Sequence, residues 1–200
     1  MGKSAAGWLL LLFSVLAFAQ PEVGRDYLPI DPPLQPATKK IELLEFFYYG
    51  CPECSDLEPF LQEWLNGRND VEIVRVPAFR SAWLPLARTY YALRTLGQEQ
   101  LLRGRIFSAI RGGADLNDEH VLFAWIGTHG VDLKKFEPIY ASKEVQLKIA
   151  DSANLAMRLG IAGVPSLVVD GKYLVMGDLA RSDLLDQLVD MAKQRRRITP

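Results

Sequence analysis

Cysteine and histidine are the scarcest reactive residues in this chain, two of each among 200 residues. Two cysteines exclude a small fold stapled by several disulfides. Four ligands make a structural zinc site, and His120 and His129 stand in no ligand spacing to the cysteines, so no metal or cofactor is expected. An excess of one charge is also missing. With 23 basic and 24 acidic residues the net charge is -1, which lacks the basic bias of a nucleic-acid binder. Internal repeats and low-complexity tracts are absent from the sequence, and beyond residue 19 no apolar run is long enough to span a bilayer. What is present is ordinary globular composition, 49% hydrophobic and 24% charged, enough for one domain with or without an insertion.

The one long apolar run is Trp8 to Phe18, broken only by Ser14. Lys3 precedes it and the small-x-small sequence Ala17-Phe18-Ala19 closes it. This reads as a cleavable signal peptide, residues 1–19, because the run falls short of the roughly 20 residues a membrane anchor needs. Export would place the two cysteines where a disulfide persists.

Residues 20–40 carry Pro21, Pro29, Pro32, Pro33 and Pro36, which exclude a helix and leave an extended arm over the domain. Ile41 to Tyr49 is dense in apolar residues and reads as a strand buried on both faces. Gly50 ends it, and Pro52 suits the first turn of a helix carrying Leu57, Phe60, Leu61, Trp64 and Leu65 at helical spacing. Val71 to Val76 is a second strand. From Ser81 to Gly160 only helical patterns appear, five in all, with Asn117 or Asp118, Asp132 and Ser142 as caps. Leu167-Val168-Val169, Asp170-Gly171 and Lys172 to Met176 predict a hairpin with a type I′ turn. Ser182 opens a last amphipathic helix whose tail, Arg195-Arg196-Arg197, is expected in solvent. The order β, α, β, helices, β, β, α describes an α/β thioredoxin fold with an all-helical insertion. Residues 41–77 and 161–200 make the thioredoxin-like part, and 78–160 make the insertion.

The chemistry sits in Phe46-Phe47-Tyr48-Tyr49-Gly50-Cys51-Pro52-Glu53-Cys54. A helix N-terminus has unpaired N–H groups and partial positive charge, which favour a thiolate, the nucleophilic form of cysteine. Cys51, at the helix start, is expected to be exposed and to attack. Cys54, one turn further in, is expected to be buried and to resolve. An inert structural disulfide is the competing reading of the pair.

The stretch Glu45 to Cys54, with Gly163-Val164-Pro165 and Asp170-Gly171-Lys172-Tyr173 downstream, resembles the DsbA family of periplasmic thiol:disulfide interchange proteins. The resemblance spans nearly all of the chain beyond residue 19. It implies a nucleophilic Cys51, a buried partner Cys54, and a cis peptide before Pro165 facing the pair. It also implies a Val164 backbone that bonds substrate, and a Glu45 that relays a proton to Cys54. A strand-end Glu45 reaching solvent is the alternative for that residue. Glu58 and Arg75 are expected to pair nearby.

The activity implied is disulfide formation in reduced exported polypeptides by a periplasmic monomer, which a DsbB-like membrane quinone reductase reoxidises. An isomerase or reductase, and a holdase with incidental thiols, are the alternatives. One position departs from the pattern: where the family commonly has histidine, this chain has Glu53. A carboxylate there opposes a thiolate at Cys51 and implies a weaker oxidant.

Overall fold

The structure is a computed structural model that describes residues 20–78 and 80–198; the signal-peptide reading of residues 1–19 lies outside them. Five strands form one mixed sheet: β1 (Tyr27–Pro29), β2 (Ile41–Phe47), β3 (Val71–Pro77), β4 (Ser166–Val169) and β5 (Tyr173–Val175). Their order is β1-β5-β4-β2-β3, with β2 parallel to β3 and every other pairing antiparallel. Among the described residues seven helices accompany them: α1 (Pro52–Leu65), α2 (Leu84–Thr95), α3 (Glu99–Arg111), α4 (Glu119–Thr128), α5 (Leu133–Tyr140), α6 (Lys143–Arg158) and α7 (Ser182–Ile198). A short 3₁₀ turn, Ser81–Trp83, leads into α2.

Side chains alternate across the sheet, as a pleated strand requires. Ile41, Leu43, Leu167 and Val169 pack on one face with Leu57 and Leu61 of α1 and Leu184, Leu185 and Leu188 of α7. Leu44, Phe46 and Val168 pack on the other face with Leu155, Ala156 and Leu159 from the end of α6. Burying each such side chain contributes about 1.5–3 kcal/mol, so both faces favour the sheet. A third cluster is helical. It gathers Leu86, Tyr90 and Leu93 of α2, Leu102, Ile106 and Phe107 of α3, Leu122 and Ile126 of α4, and Phe136 and Tyr140 of α5. Phe47, Tyr49, Cys51 and Cys54 belong to this third cluster, so the cysteines are walled by the helices.

Local signals set most boundaries. Asp118, Asp132 and Ser142 accept backbone hydrogen bonds at the starts of α4, α5 and α6. Asp170 and Gly171 both have positive φ (56° and 60°) and Lys172 N–H donates to the Val169 carbonyl, the type I′ geometry. Position 171 has a second demand for glycine, because a Cβ would collide with Leu34 of the arm.

The chain termini differ from expectation in two places. The proline-rich arm pairs with the sheet through β1, since Tyr27–Pro29 runs antiparallel along the outer edge of β5, where proline is tolerated. Arg196 is not in open solvent. Its guanidinium pairs with buried Asp170 and donates to the carbonyls of Thr38, Lys39 and Lys40 at 2.9–3.0 Å. Composition showed three arginines in a tail. It did not show the buried carboxylate at the hairpin that draws one of them in.

Candidate active site

Strand β2 ends at Phe47, and the chain turns through Tyr48-Tyr49-Gly50 into α1. Cys51 N–H donates to the Tyr48 carbonyl at 3.0 Å, which closes the turn. Gly50 has no room for a side chain, because a Cβ would overlap the Tyr48 ring. That ring stacks on Trp83 (4.3 Å between centroids, 11° between planes), and Asn117 Nδ2 donates to its hydroxyl at 2.8 Å. The turn before the cysteines is therefore held from the helical side.

Cys51 is the N-cap residue of α1, and its Sγ accepts the Cys54 N–H at 3.4 Å. A sulfur in the cap position receives the helix N-terminus directly, which stabilises its anion. Pro52 sits at the first helical position, exposed, where its missing N–H leaves no bond unmade. Cys51 is more enclosed than its position implied: it is 8% exposed, against 0% for Cys54. Cys51 belongs to the same buried cluster as Tyr49 and Phe107, whose rings meet edge to face. The order of access is still as expected, since only Cys51 keeps a path to solvent.

Several groups of the described residues contact the Cys51 sulfur, the Cys54 thiol among them. Besides the Cys54 N–H, the Cys51 thiol lies 3.3 Å from Glu53 Oε2 and 3.6 Å from the Val164 carbonyl, both acceptors. Val164 precedes Pro165 through a cis peptide bond, and its carbonyl beside the Cys51 sulfur brings the loop before β4 to the cysteines. Burial raises the Cys51 pKa most, the Cys54 thiol and N–H lower it, and Glu53 raises it further. Burial likewise raises the Cys54 pKa, and Cys51 and Glu45 add to the rise. The pair is thus asymmetric, with one sulfur at a helix cap and the other sealed.

Glu45 lies on β2 with no exposed surface, between Arg75 of β3 and Leu167 of β4 in register. A solvent-reaching Glu45 is thereby excluded. Burial pushes its pKa up to about 7 against the pull of Arg75. Arg75 Nε stands 2.8 Å from Glu45 Oε2 but is not aimed at it, and neither Glu45 oxygen accepts an aligned hydrogen bond among the described residues. Arg75 Nη2 donates to both oxygens of Glu58, at 2.9 and 3.1 Å, the pair expected from sequence. Beside Cys51 an apolar groove of about 360 Å³ runs along Trp83, Ala156, Met157, Ile161, Gly163 and Val164.

Comparison with known proteins bears on this geometry. Residues 69–189 match the model of the DSBA-like thioredoxin domain. A thiol:disulfide interchange protein DsbA of Burkholderia cepacia is 37% identical over 160 residues, 78% of this chain and 76% of its own. The chain belongs to the DsbA family. Its counterpart DsbA from Bordetella pertussis is 33% identical over 185 residues and covers 88% of both chains, a span that must include Cys51 and Cys54. The crystal structure of the DsbA oxidoreductase of Xylella fastidiosa superposes with a TM-score of 0.80 at 30% identity, over 88% of this chain and all of that one. Pseudomonas aeruginosa DsbA gives 0.77 at 29% identity, over 88% and 94%. The fold is thus the DsbA form of the thioredoxin fold, with its all-helical insertion.

Within this DsbA fold the structure brings Cys51, Pro52, Glu53, Cys54 and Val164-Pro165 together, with Glu45 behind them. Sequence reasoning missed the bracing of the turn by Tyr48, Trp83 and Asn117, and the burial of Glu99 and Arg103 behind it. Glu99 and Arg103 gave one sequence signal, an i,i+4 charge pair, but such pairs usually lie in solvent.

Proposed function

We propose that the chain is a thiol:disulfide oxidoreductase that oxidises reduced exported polypeptides through Cys51 and Cys54. The observation that carries this is the inequality of the two sulfurs: Cys51 caps α1 and keeps 8% of its surface, and Cys54 has none. In the oxidised form a substrate thiolate attacks the Cys51 sulfur, forms a mixed disulfide and expels Cys54 as the thiolate. Cys54 takes a proton from the Glu45 side, in keeping with its raised pKa. A second substrate thiolate then attacks the substrate sulfur of the mixed disulfide and expels Cys51 as the thiolate, which the helix terminus stabilises. Two electrons pass from the substrate dithiol to the cysteine pair, and the substrate leaves with its disulfide.

The other residues take supporting roles. Pro52 starts the helix, the Val164 backbone before Pro165 offers its polar groups to an extended substrate, and Glu53 tunes Cys51. The groove along Trp83 and Met157 suits apolar side chains of an unfolded chain. We read residues 41–77 and 161–200 as the thioredoxin-like unit and 78–160 as its insertion. By resemblance, the setting is periplasmic, the protein acts as a monomer, and a DsbB-like quinone reductase restores the disulfide.

The contact from Cys51 to Glu53 favours a second reading, an isomerase or reductase kept as the dithiol. Equilibrating the purified protein with glutathione buffers tests both. An oxidase gives a couple poised far above the glutathione pool, and an isomerase or reductase gives one near or below it. Cys51→Ala is expected to abolish oxidation of a reduced model substrate, and Cys54→Ala, whose Cys51 thiolate attacks the disulfide of an oxidised model substrate with no partner thiol left to release it, to accumulate the mixed disulfide. Undiminished oxidation by Cys51→Ala would overturn the proposal.

A further inference from the structure

We propose that Arg103 and Glu99 of the helical layer are positioning residues for the dithiol reaction, because they complete a buried ring of charge that starts at Glu45 and returns to Tyr49. This rests on the reading of Glu45 as the group that exchanges a proton with Cys54.

The ring can be followed atom by atom. Arg75 Nε lies 2.8 Å from Glu45 Oε2, and Arg75 Nη2 donates to both oxygens of Glu58. Arg103 Nε lies 3.6 Å from Glu58 Oε1, and Arg103 Nη2 donates to Glu99 Oε2 at 2.5 Å. The Tyr49 hydroxyl donates to Glu99 Oε1 at 2.7 Å. Glu45 and Tyr49 flank the segment that delivers Cys51, so the ring leaves β2 beneath the cysteines and rejoins the chain beside them. Glu58, Glu99 and Arg103 are only 5%, 6% and 4% exposed. Charges so desolvated seldom add stability over an apolar packing of the same volume, so their presence calls for a chemical reason.

Charge balance supplies one. The ring holds three carboxylates, Glu45, Glu58 and Glu99, against two guanidiniums, which stay charged. With every carboxylate ionised it carries one excess negative charge away from water, so it favours holding one proton. Geometry chooses the carboxylate. Glu58 accepts from Arg75 and from Gln62 Nε2, and Glu99 accepts from Arg103 and Tyr49. Glu45 accepts no aligned hydrogen bond among the described residues, so the proton rests there. The groups facing Glu45 are Arg75 from β3, Glu58 and Cys54 from α1, and Arg103 from α3; its β4 neighbour is Leu167. Glu45 titrates at about 7 with both guanidiniums in place, and Arg103 pulls in the acid direction. Burial and Arg75 weigh most on Glu45, and Arg103 adds a further pull in the acid direction, although it touches neither Glu45 nor a cysteine.

The test is a titration of the Glu45 carboxyl by infrared difference spectroscopy on the full protein, with Glu45→Gln assigning the band. Arg103→Gln is expected to move the midpoint up by at least about half a pH unit, and Arg103→Lys, which keeps the charge, to leave it unmoved. An unchanged midpoint in folded Arg103→Gln overturns the proposal, as does an equal shift in Arg103→Lys. If Arg103→Gln does not fold, Glu58→Gln removes a carboxylate facing Glu45 and is expected to move the midpoint down; no shift, or an upward one, overturns it. The glutathione equilibrium of Glu45→Gln across pH separates the two readings. Loss of the component of that pH dependence near pH 7, where Glu45 titrates, supports the relay on which the positioning role rests, and an unaltered dependence removes it whatever the infrared midpoints show.

Discussion

The Cys51 sulfur and the Glu53 carboxylate are in hydrogen-bond contact, 3.3 Å apart, with the thiol as donor. That contact holds only while the sulfur keeps its proton. Ionisation of Cys51 places two negative charges side by side, so Glu53 works against the helix terminus that favours the thiolate. Replacing Glu53 with glutamine or histidine is expected to raise the thiolate fraction at neutral pH by about three- to tenfold, nearer the lower figure because Glu53 is exposed and screened. The thiolate absorbance of Cys51 against pH measures it. An unchanged titration in both variants would count against a tuning role for Glu53.

Glu45 gives the reduced protein a pH-dependent stability with a definite sign. Its carboxyl titrates near 4.5 without burial and at about 7 in the fold. Between those values the folded state binds more protons than the unfolded one, so stability falls as pH rises through that window. The contribution is fully present below about pH 4.5 and is lost by about pH 7, on the order of 3 kcal/mol. Glu45→Gln cannot ionise and should lack this slope. Urea denaturation of both proteins from pH 4 to 8 provides the comparison, and parallel profiles would refute the assignment.

Arg196 and Asp170 tie the C-terminal helix to the hairpin and the arm. Asp170→Ala strands the buried Lys172 ammonium, which pairs with the same carboxylate, and is expected to cost about 3–5 kcal/mol. Arg196→Ala leaves that pair but loses the three carbonyl contacts, for about 1–3 kcal/mol. Equilibrium denaturation should rank the two in that order, with the glutathione equilibrium of the cysteines unmoved by Arg196→Ala.

Gly50→Ala puts a methyl group where the Tyr48 ring lies. The ring must leave its stack on Trp83, and its bond to Asn117 with it. A cost of about 1–3 kcal/mol is expected, as for other overpacked sites, together with a change in Trp83 fluorescence. Wild-type fluorescence and stability in the variant would show that the turn relaxes without disturbing the stack.

Legibility in the sequence followed the range of the interaction. The strand–glycine–cysteine–proline junction, the caps at Asp118, Asp132 and Ser142, and the turn at Asp170-Gly171 are short-range devices, and their residues announce them. The Val164 carbonyl that meets the Cys51 sulfur lies 113 positions away, and no local pattern encodes that contact. Glu99 and Arg103 have the spacing of a surface pair; only the packing of α3 against α1 buries them. Strand β1 was hidden for the opposite reason: prolines disguise a segment that needs little more than a free sheet edge.

The grip of Arg196 on residues 38–40 spans 156 to 158 positions. Contacts of such separation close last, because the intervening chain must be ordered first. A polypeptide delivered from its N-terminus can pair β2 with β3 early, yet it cannot fasten residues 38–40 until the end of α7 has arrived. Arg196 thus joins the end of α7 to the segment that opens β2, and a variant without it would expose residues 38–40 to proteolysis.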